Sequence, residues 1–89
     1  MSPHDFDTND VVEITKAISL LMEDGLGKMS IEQMEEVKDR HKLMLEQQIF
    51  WMSQSNYDRF LKDLREYAYW LCDLIADVER EFWGEEESS

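Results

Sequence analysis

The chain has 89 residues, with 21 Asp and Glu against nine Lys and Arg, and a formal net charge of −12. This length predicts one small domain. The charge argues against direct binding to nucleic acid or to an anionic membrane, because phosphate groups repel it. Hydrophobic residues make up 43% of the sequence, which is the share of a folded domain rather than of a disordered chain.

Three features predict a cytoplasmic location. The single cysteine, Cys72, has no partner for an intramolecular disulfide, which is typical of a reducing compartment. The N-terminal residues contain neither a basic segment nor an apolar run, so we expect no signal peptide. No apolar stretch is long enough to cross a membrane.

The N-terminal part of the chain predicts a polar arm and a first helix. Residues 1–9 are mostly polar and form the predicted arm. A helix is predicted over about residues 10–24, because Asn9 and Asp10 are good N-caps and apolar residues follow at helical spacing. Gly25 suits the left-handed position that follows many helices. The two acidic residues before it oppose the helix macrodipole, which indicates that they serve another purpose.

A second helix is predicted over about residues 31–52. Its start is marked by Ser30 as the N-cap and Gln33 three residues later, which together make a capping box. The methionines of the chain are expected to fill gaps in the core. The stripe that should face the core contains two polar positions and comprises Met34, Val37, His41, Met44, Gln48 and Trp51.

A third helix is predicted over about residues 56–83, with Ser55 as its N-cap, followed by an acidic tail over residues 85–89. Its apolar residues recur in alternating steps of four and three, which is a heptad repeat. Further apolar residues widen this stripe, as in a helical bundle. The repeat comprises Tyr57, Leu61, Leu64, Ala68, Leu71, Ile75, Val78 and Phe82.

These elements predict an all-α fold with three helices, built on a long αα-hairpin. The third helix should be about 40 Å long, and the first helix about half of that, so the first helix alone cannot cover it. We therefore expect a second copy of the chain to complete a helical bundle as a homodimer. The predicted oligomer interface comprises Leu61, Leu64, Ala68, Leu71, Ile75, Val78 and Phe82.

An ordered set of acidic residues lies on the opposite face of the third helix. Its members are spaced three, seven and four residues apart, with Trp70 among them. One interpretation is a solvated face with a single stray aromatic residue. The other is a partner-binding face in which the acids steer a basic protein and the tryptophan anchors it. The predicted partner-binding residues are Asp63, Glu66, Trp70, Asp73, Asp77 and Trp83.

The function we predict is that of a small acidic binding protein. It would block a basic, nucleic-acid-binding surface of a partner protein, as inhibitors made by phages and immunity proteins of nuclease toxins do. We expect no catalytic residues, metal or cofactor, because no phosphate-binding loop or catalytic triad is present, and His41 and Cys72 fit structural roles. An alternative is a helical chaperone or assembly module that uses the apolar stripe of the third helix.

A second alternative rests on two pairs of acidic residues. Glu32-x-x-Glu35 lies on the second helix, and Asp63-Leu64-Arg65-Glu66 on the third is followed by Tyr67-Ala68-Tyr69-Trp70-Leu71. This pattern resembles the all-α nucleotide pyrophosphohydrolases of the MazG-like family over about a third of the chain. The resemblance implies an Mg²⁺ site formed by four carboxylates. The chain departs from the family pattern because Asp precedes Glu in the second pair, and because that pair lies on the predicted outer face.

Overall fold

The computed structural model describes residues 7 and 9–87, with the side chains described as far as residue 84. It contains three helices, α1 (Val11–Leu26), α2 (Ile31–Ser53) and α3 (Tyr57–Glu87). None of the described residues lies in a strand, so the predicted all-α class is confirmed. Within this part of the chain no helix is long and apolar enough to cross a membrane. The rest of the predicted arm, and the last two residues of the predicted tail, lie outside the described residues.

The first helix is capped as predicted at its start but not at its end. Asp10 is the N-cap, and its carboxylate accepts a hydrogen bond from the Val12 N–H at 2.9 Å. The helix then continues through Gly25 to Leu26, and no described glycine has a positive φ. The prediction for Gly25 was wrong because a close approach between helices requires this residue. A Cβ atom there would lie 1.9 Å from Cδ1 of Ile75 on α3.

The capping box predicted for the second helix is confirmed. The Ser30 hydroxyl accepts a hydrogen bond from the Gln33 N–H at 3.2 Å, and the Gln33 side chain accepts one from the Ser30 N–H at 3.0 Å. These two bonds satisfy donors that the first helical turn leaves without intrahelical partners.

The turn between α2 and α3 corrects the predicted N-cap of α3. Ser55 has a left-handed φ of 53°, and its N–H donates to the Met52 carbonyl while the Asn56 N–H donates to the Trp51 carbonyl. This is a Schellman motif, which reverses the chain within three residues. Asn56 is therefore the N-cap of α3, and its Oδ1 accepts a hydrogen bond from the Arg59 N–H at 3.2 Å.

The third helix also extends beyond its predicted end. It passes through Gly84 and reaches Glu87, so it takes in three residues of the predicted tail. A right-handed glycine inside a helix costs only about 1 kcal/mol relative to alanine, which a long helix tolerates. At 31 residues α3 is about 46 Å long.

The three helices form a single layer with α3 in the middle. Both other helices pack on α3, whereas α1 and α2 make far fewer contacts with each other. The short turns make α2 antiparallel to α3 and α1 parallel to it. The Cα atoms accordingly span 53 × 28 × 15 Å. The antiparallel pair of α2 and α3 is the αα-hairpin that the sequence predicted.

The apolar stripe of α3 is buried within the single chain. Side chains from both flanking helices cover it, so α1 does not need to cover it alone. The oligomer interface predicted on this stripe is therefore wrong for six of its seven residues, and only Phe82 is exposed. The six buried residues are Leu61, Leu64, Ala68, Leu71, Ile75 and Val78.

Much apolar surface nevertheless remains exposed, mainly on α2. Met34 and Met52, which were expected in the core, are exposed, whereas Met29 and Met44 are buried. The predicted inner stripe of α2 is confirmed at Val37 and Met44. Of its other members, His41, Gln48 and Trp51 are partly buried, and His41 and Trp51 contact Tyr67 and Asp63 of α3; the prediction fails only for Met34.

Candidate partner-binding surfaces

The fold gathers acidic residues at one end of the molecule, which we call the acidic end. The C-terminus of α1, the N-terminus of α2 and the C-terminal half of α3 meet there, as the ion pair between Lys28 and Glu79 shows. Ten carboxylates with described side chains lie at this end against four basic residues. The carboxylates are Glu23, Asp24, Glu32, Glu35, Glu36, Asp39, Asp73, Asp77, Glu79 and Glu81, and the basic residues are Lys28, Lys38, Arg40 and Arg80.

The opposite end of the molecule is close to electrical balance. Among the residues with described side chains, seven carboxylates and five basic residues lie there, so the formal charge of this part is −2, against −6 for the acidic end counted in the same way. The carboxylates are Asp7, Asp10, Glu13, Glu46, Asp58, Asp63 and Glu66, and the basic residues are Lys16, Lys42, Arg59, Lys62 and Arg65. The molecule is therefore electrically polarised along its long axis.

Helix dipoles strengthen this polarity. The negative ends of α1 and α3 and the positive end of α2 lie at the acidic end, so the dipoles leave a net negative contribution there, and neither α1 nor α3 has a basic residue in its last turn. Acids at these positions destabilise their own helices, since the macrodipole favours cations there. The acidic end thus combines a local cost to helix stability with an excess of negative charge.

Lys28, in the turn between α1 and α2, is the central cation of the acidic end. Its Nζ lies 3.5 Å from Oδ1 of Asp24, 3.7 Å from Oε1 of Glu79 and 5.5 Å from the centre of the Trp83 ring. A side-chain hydrogen bond with Asp24, together with desolvation, raises the pKa of the Glu79 carboxyl, while Lys28 opposes this rise. Two carboxyl groups here share one cation, so their charge is only partly compensated.

The four acids predicted on the outer face of α3, Asp63, Glu66, Asp73 and Asp77, have different surroundings. Glu66, Asp73 and Asp77 are exposed, although Asp77 forms an ion pair with Arg80 at 3.2 Å. Asp63 is partly buried, and its carboxylate accepts a hydrogen bond from the Trp51 indole N–H at 2.5 Å. Asp63 therefore joins α2 to α3, which is a structural role that the sequence did not indicate.

The two tryptophans that were predicted to bind a partner do not share a surface. Trp70 is only partly exposed, because the Arg40 guanidinium lies 4.9 Å from its ring centre and the Tyr67 ring packs 5.8 Å away. Trp83 is exposed beside Lys28. Thirteen residues separate the two tryptophans, which is a rotation of about 220° around α3. The prediction that they extend one surface is therefore corrected.

The surroundings of three residues near the middle of the molecule fit structural roles. These residues are His41, Tyr67 and Cys72. The Tyr67 hydroxyl lies 3.2 Å from Nδ1 of His41, and burial raises the pKa of Tyr67 to about 12. This contact gives His41 a tyrosine partner. Burial, and to a lesser extent the charge of Asp73, raises the pKa of the Cys72 thiol. A raised pKa lowers the thiolate fraction, which is the opposite of what a nucleophile needs.

The acid pairs that resemble a pyrophosphohydrolase site do not come together. Glu32 and Glu35 line an open cleft on α2, whereas Asp63 and Glu66 line a groove of about 160 Å³ between α2 and α3. No group of three or more His, Cys, Asp or Glu among the described residues is placed to hold a metal ion. The four-carboxylate site implied by the resemblance is not formed.

The balanced end carries an apolar cleft that the sequence analysis missed. Its volume is about 470 Å³, and it lies where the turn between α2 and α3 meets the start of α1. The sequence contains no local signal for the cleft, because its lining residues come from three separate parts of the chain that only the packing of the helices brings together. The residues that line the cleft are Val11, Trp51, Met52, Ser55, Asn56, Tyr57 and Phe60.

No protein-family model matches the sequence, no curated protein is significantly similar to it, and no solved structure is significantly similar to its fold.

Proposed function

We propose that the chain is a small acidic binding protein whose acidic end occupies a basic, nucleic-acid-binding surface of a partner protein. The observation that carries the proposal is the excess of ten carboxylates over four basic residues at one end of the molecule. A charge that served only solubility would not need to be concentrated in this way. The partner would contact the exposed carboxylates of Asp73 and Asp77 on α3.

The mechanism is electrostatic steering followed by local contact. A strongly negative end raises the encounter rate with a basic surface by about 10- to 1,000-fold at low ionic strength. Bound in this way, the chain would exclude nucleic acid from the surface, because both carry the same sign of charge. Glu66 continues the acidic face along α3, whereas Asp63 is partly buried and accepts the hydrogen bond from Trp51.

The test compares two double charge reversals. Asp73→Lys with Asp77→Lys changes the acidic end, and Glu46→Lys with Asp58→Lys changes the balanced end. Each pair adds four charges, so both variants move from −12 to −8. All four residues are exposed, so both variants should fold, which circular dichroism checks.

Each immobilised variant is used to capture proteins from an extract of the source cell, with double-stranded DNA as the competitor. We expect the unmodified chain and the balanced-end variant to retain basic proteins that DNA displaces, and the acidic-end variant to lose them. Equal loss from both variants would show that only net charge matters, and retention by the acidic-end variant would refute the proposed site.

A second candidate function is assembly, in which another copy of the chain completes the bundle as a homodimer. The stripe of α3 cannot provide this interface, because it is already buried. The observation that favours assembly is the amount of exposed apolar surface on α2, including Ile31 at 75% and Ile49 at 70% exposure. A chaperone-like module that pairs with a partner's helix would use the same kind of surface. Sedimentation of the purified chain over a range of concentrations tests for a dimer.

A further inference from the structure

We infer that a second copy of this chain docks on the balanced end, through a surface that we call the apolar end. This inference deepens the assembly function proposed above and does not depend on the acidic-end proposal. Four exposed side chains, Leu45, Ile49, Met52 and Tyr57, form the apolar end together with the cleft beside them.

The geometry joins these side chains into one patch. Leu45, Ile49 and Met52 lie at steps of four and three, so they share one side of α2. Met52 and Tyr57 also line the cleft, whose other walls include the partly buried Val11 and Phe60. The patch thus offers both a projecting ridge and a recess about 470 Å³ in volume. A two-fold symmetric dimer needs this kind of self-complementary surface, because each copy contributes the same patch.

The exposed area is sufficient for a weak specific dimer. Leu45, Ile49, Met52 and Tyr57 are 44, 70, 68 and 58% exposed. If a fully exposed side chain of this size presents about 200 Å², these fractions amount to roughly 500 Å² per chain. Two copies would bury roughly 1,000 Å², which is about the lower limit for a biological interface.

The charge distribution favours this end over the rest of the molecule. Two chains of −12 repel each other, and the repulsion is smallest when their acidic ends lie far apart. Docking through the apolar end brings together the two regions of −2 and keeps the regions of −6 at a distance. The other strongly exposed isoleucine, Ile31, lies at the acidic end and is less suited to self-association.

This arrangement has a consequence for function. Both acidic ends of the dimer would stay free, so one dimer would present two acidic surfaces. If the partner also has two basic sites within reach, the second contact becomes intramolecular and the overall affinity rises.

Sedimentation equilibrium of the full chain and two matched variants tests the inference. Ile49→Glu changes the apolar end, and Ile31→Glu makes the same chemical change at a similarly exposed position of the same helix. Because both side chains are exposed, both variants should remain folded, and thermal melts by circular dichroism verify this. We expect Ile49→Glu to weaken the dimer at least tenfold and Ile31→Glu to change it less than threefold.

The remaining outcomes show which of three claims fails: docking at the apolar end, the assembly function or the acidic-end proposal. Added salt should strengthen the dimer by screening repulsion, whereas it should weaken binding of a basic partner. A chain that stays monomeric up to millimolar concentration overturns both the inference and the assembly function. A dimer that Ile31→Glu disrupts as strongly as Ile49→Glu overturns only the location proposed here. The acidic-end proposal stands or falls separately, by the capture experiment.

Discussion

Gly25 is the point at which α1 lies closest to α3, and replacing it by alanine tests this packing directly. The added Cβ atom would lie 1.9 Å from Cδ1 of Ile75 and 3.2 Å from both Cγ1 of Ile75 and Cε of Met29. Ile75 is 1% exposed, so its side chain has little room to rotate away. We expect the substitution to destabilise the protein.

The magnitude follows from two opposing effects. Alanine favours the helix over glycine by about 1 kcal/mol. Overpacking a filled core costs about 1–3 kcal/mol. Gly27→Ala is the control, because no atom lies within 4 Å of the new Cβ and the backbone is right-handed. That control should stabilise the protein by about 0.4–1 kcal/mol. The two variants should therefore differ by about 1–3 kcal/mol, or roughly 10 °C in Tm for a domain of this size.

Urea denaturation and thermal melts measure this difference, and a double-mutant cycle assigns its cause. Ile75→Val removes the Cδ1 atom that the new Cβ meets, at a cost of about 0.5–1.5 kcal/mol in the original chain. In the Gly25→Ala background the same change should cost nothing or restore stability. The reasoning is refuted if Gly25→Ala is as stable as Gly27→Ala, or if the two changes are additive.

Three further predictions concern single residues. Ser55→Gly should stabilise the protein by about 1 kcal/mol, because glycine adopts a left-handed φ without strain, and an unchanged urea midpoint would contradict this. The pKa of the Glu79 carboxyl is raised in the folded chain, so the folded chain holds the Glu79 proton more tightly than the unfolded chain does. The free energy of unfolding should therefore fall as the pH rises above about 4.5 and through the folded-state pKa of Glu79. Glu79→Gln should therefore show a smaller drop in Tm as the pH rises above about 4.5, and equal drops would contradict this role of Glu79. Because burial raises the pKa of Tyr67 to about 12, stability should also fall between about pH 10 and pH 12, and Tyr67→Phe should remove that loss in alkaline melts.

The helices and most of the core could be predicted because local signals specify them. The capping box at Ser30 and the heptad repeat of α3 each depend on residues close together in the sequence. The errors arose where distant residues decide the structure. Gly25 looked like a helix end because nothing in the local sequence indicates that Ile75 packs against it.

For the candidate surfaces too, the predictions from local sequence succeeded and those that depend on packing between helices failed. The acidic residues of α3 were recognised from their spacing, but their neighbours on other helices were not. Trp70 looked like a free anchor because the position of Arg40 over its ring depends on how α2 packs. The predicted interface on α3 failed for a related reason, since the sequence did not show that α1 and α2 lie on two sides of it. The concentration of acids at one end follows only from the topology of all three helices.

The central claim is that the acidic end steers the chain to a basic partner. Its most direct test is the association rate constant for a captured partner, measured at increasing ionic strength. The rate should fall steeply with salt for the unmodified chain and much less for the variant with Asp73→Lys and Asp77→Lys. A rate that is insensitive to salt, or that falls equally steeply for this variant, would contradict the claim.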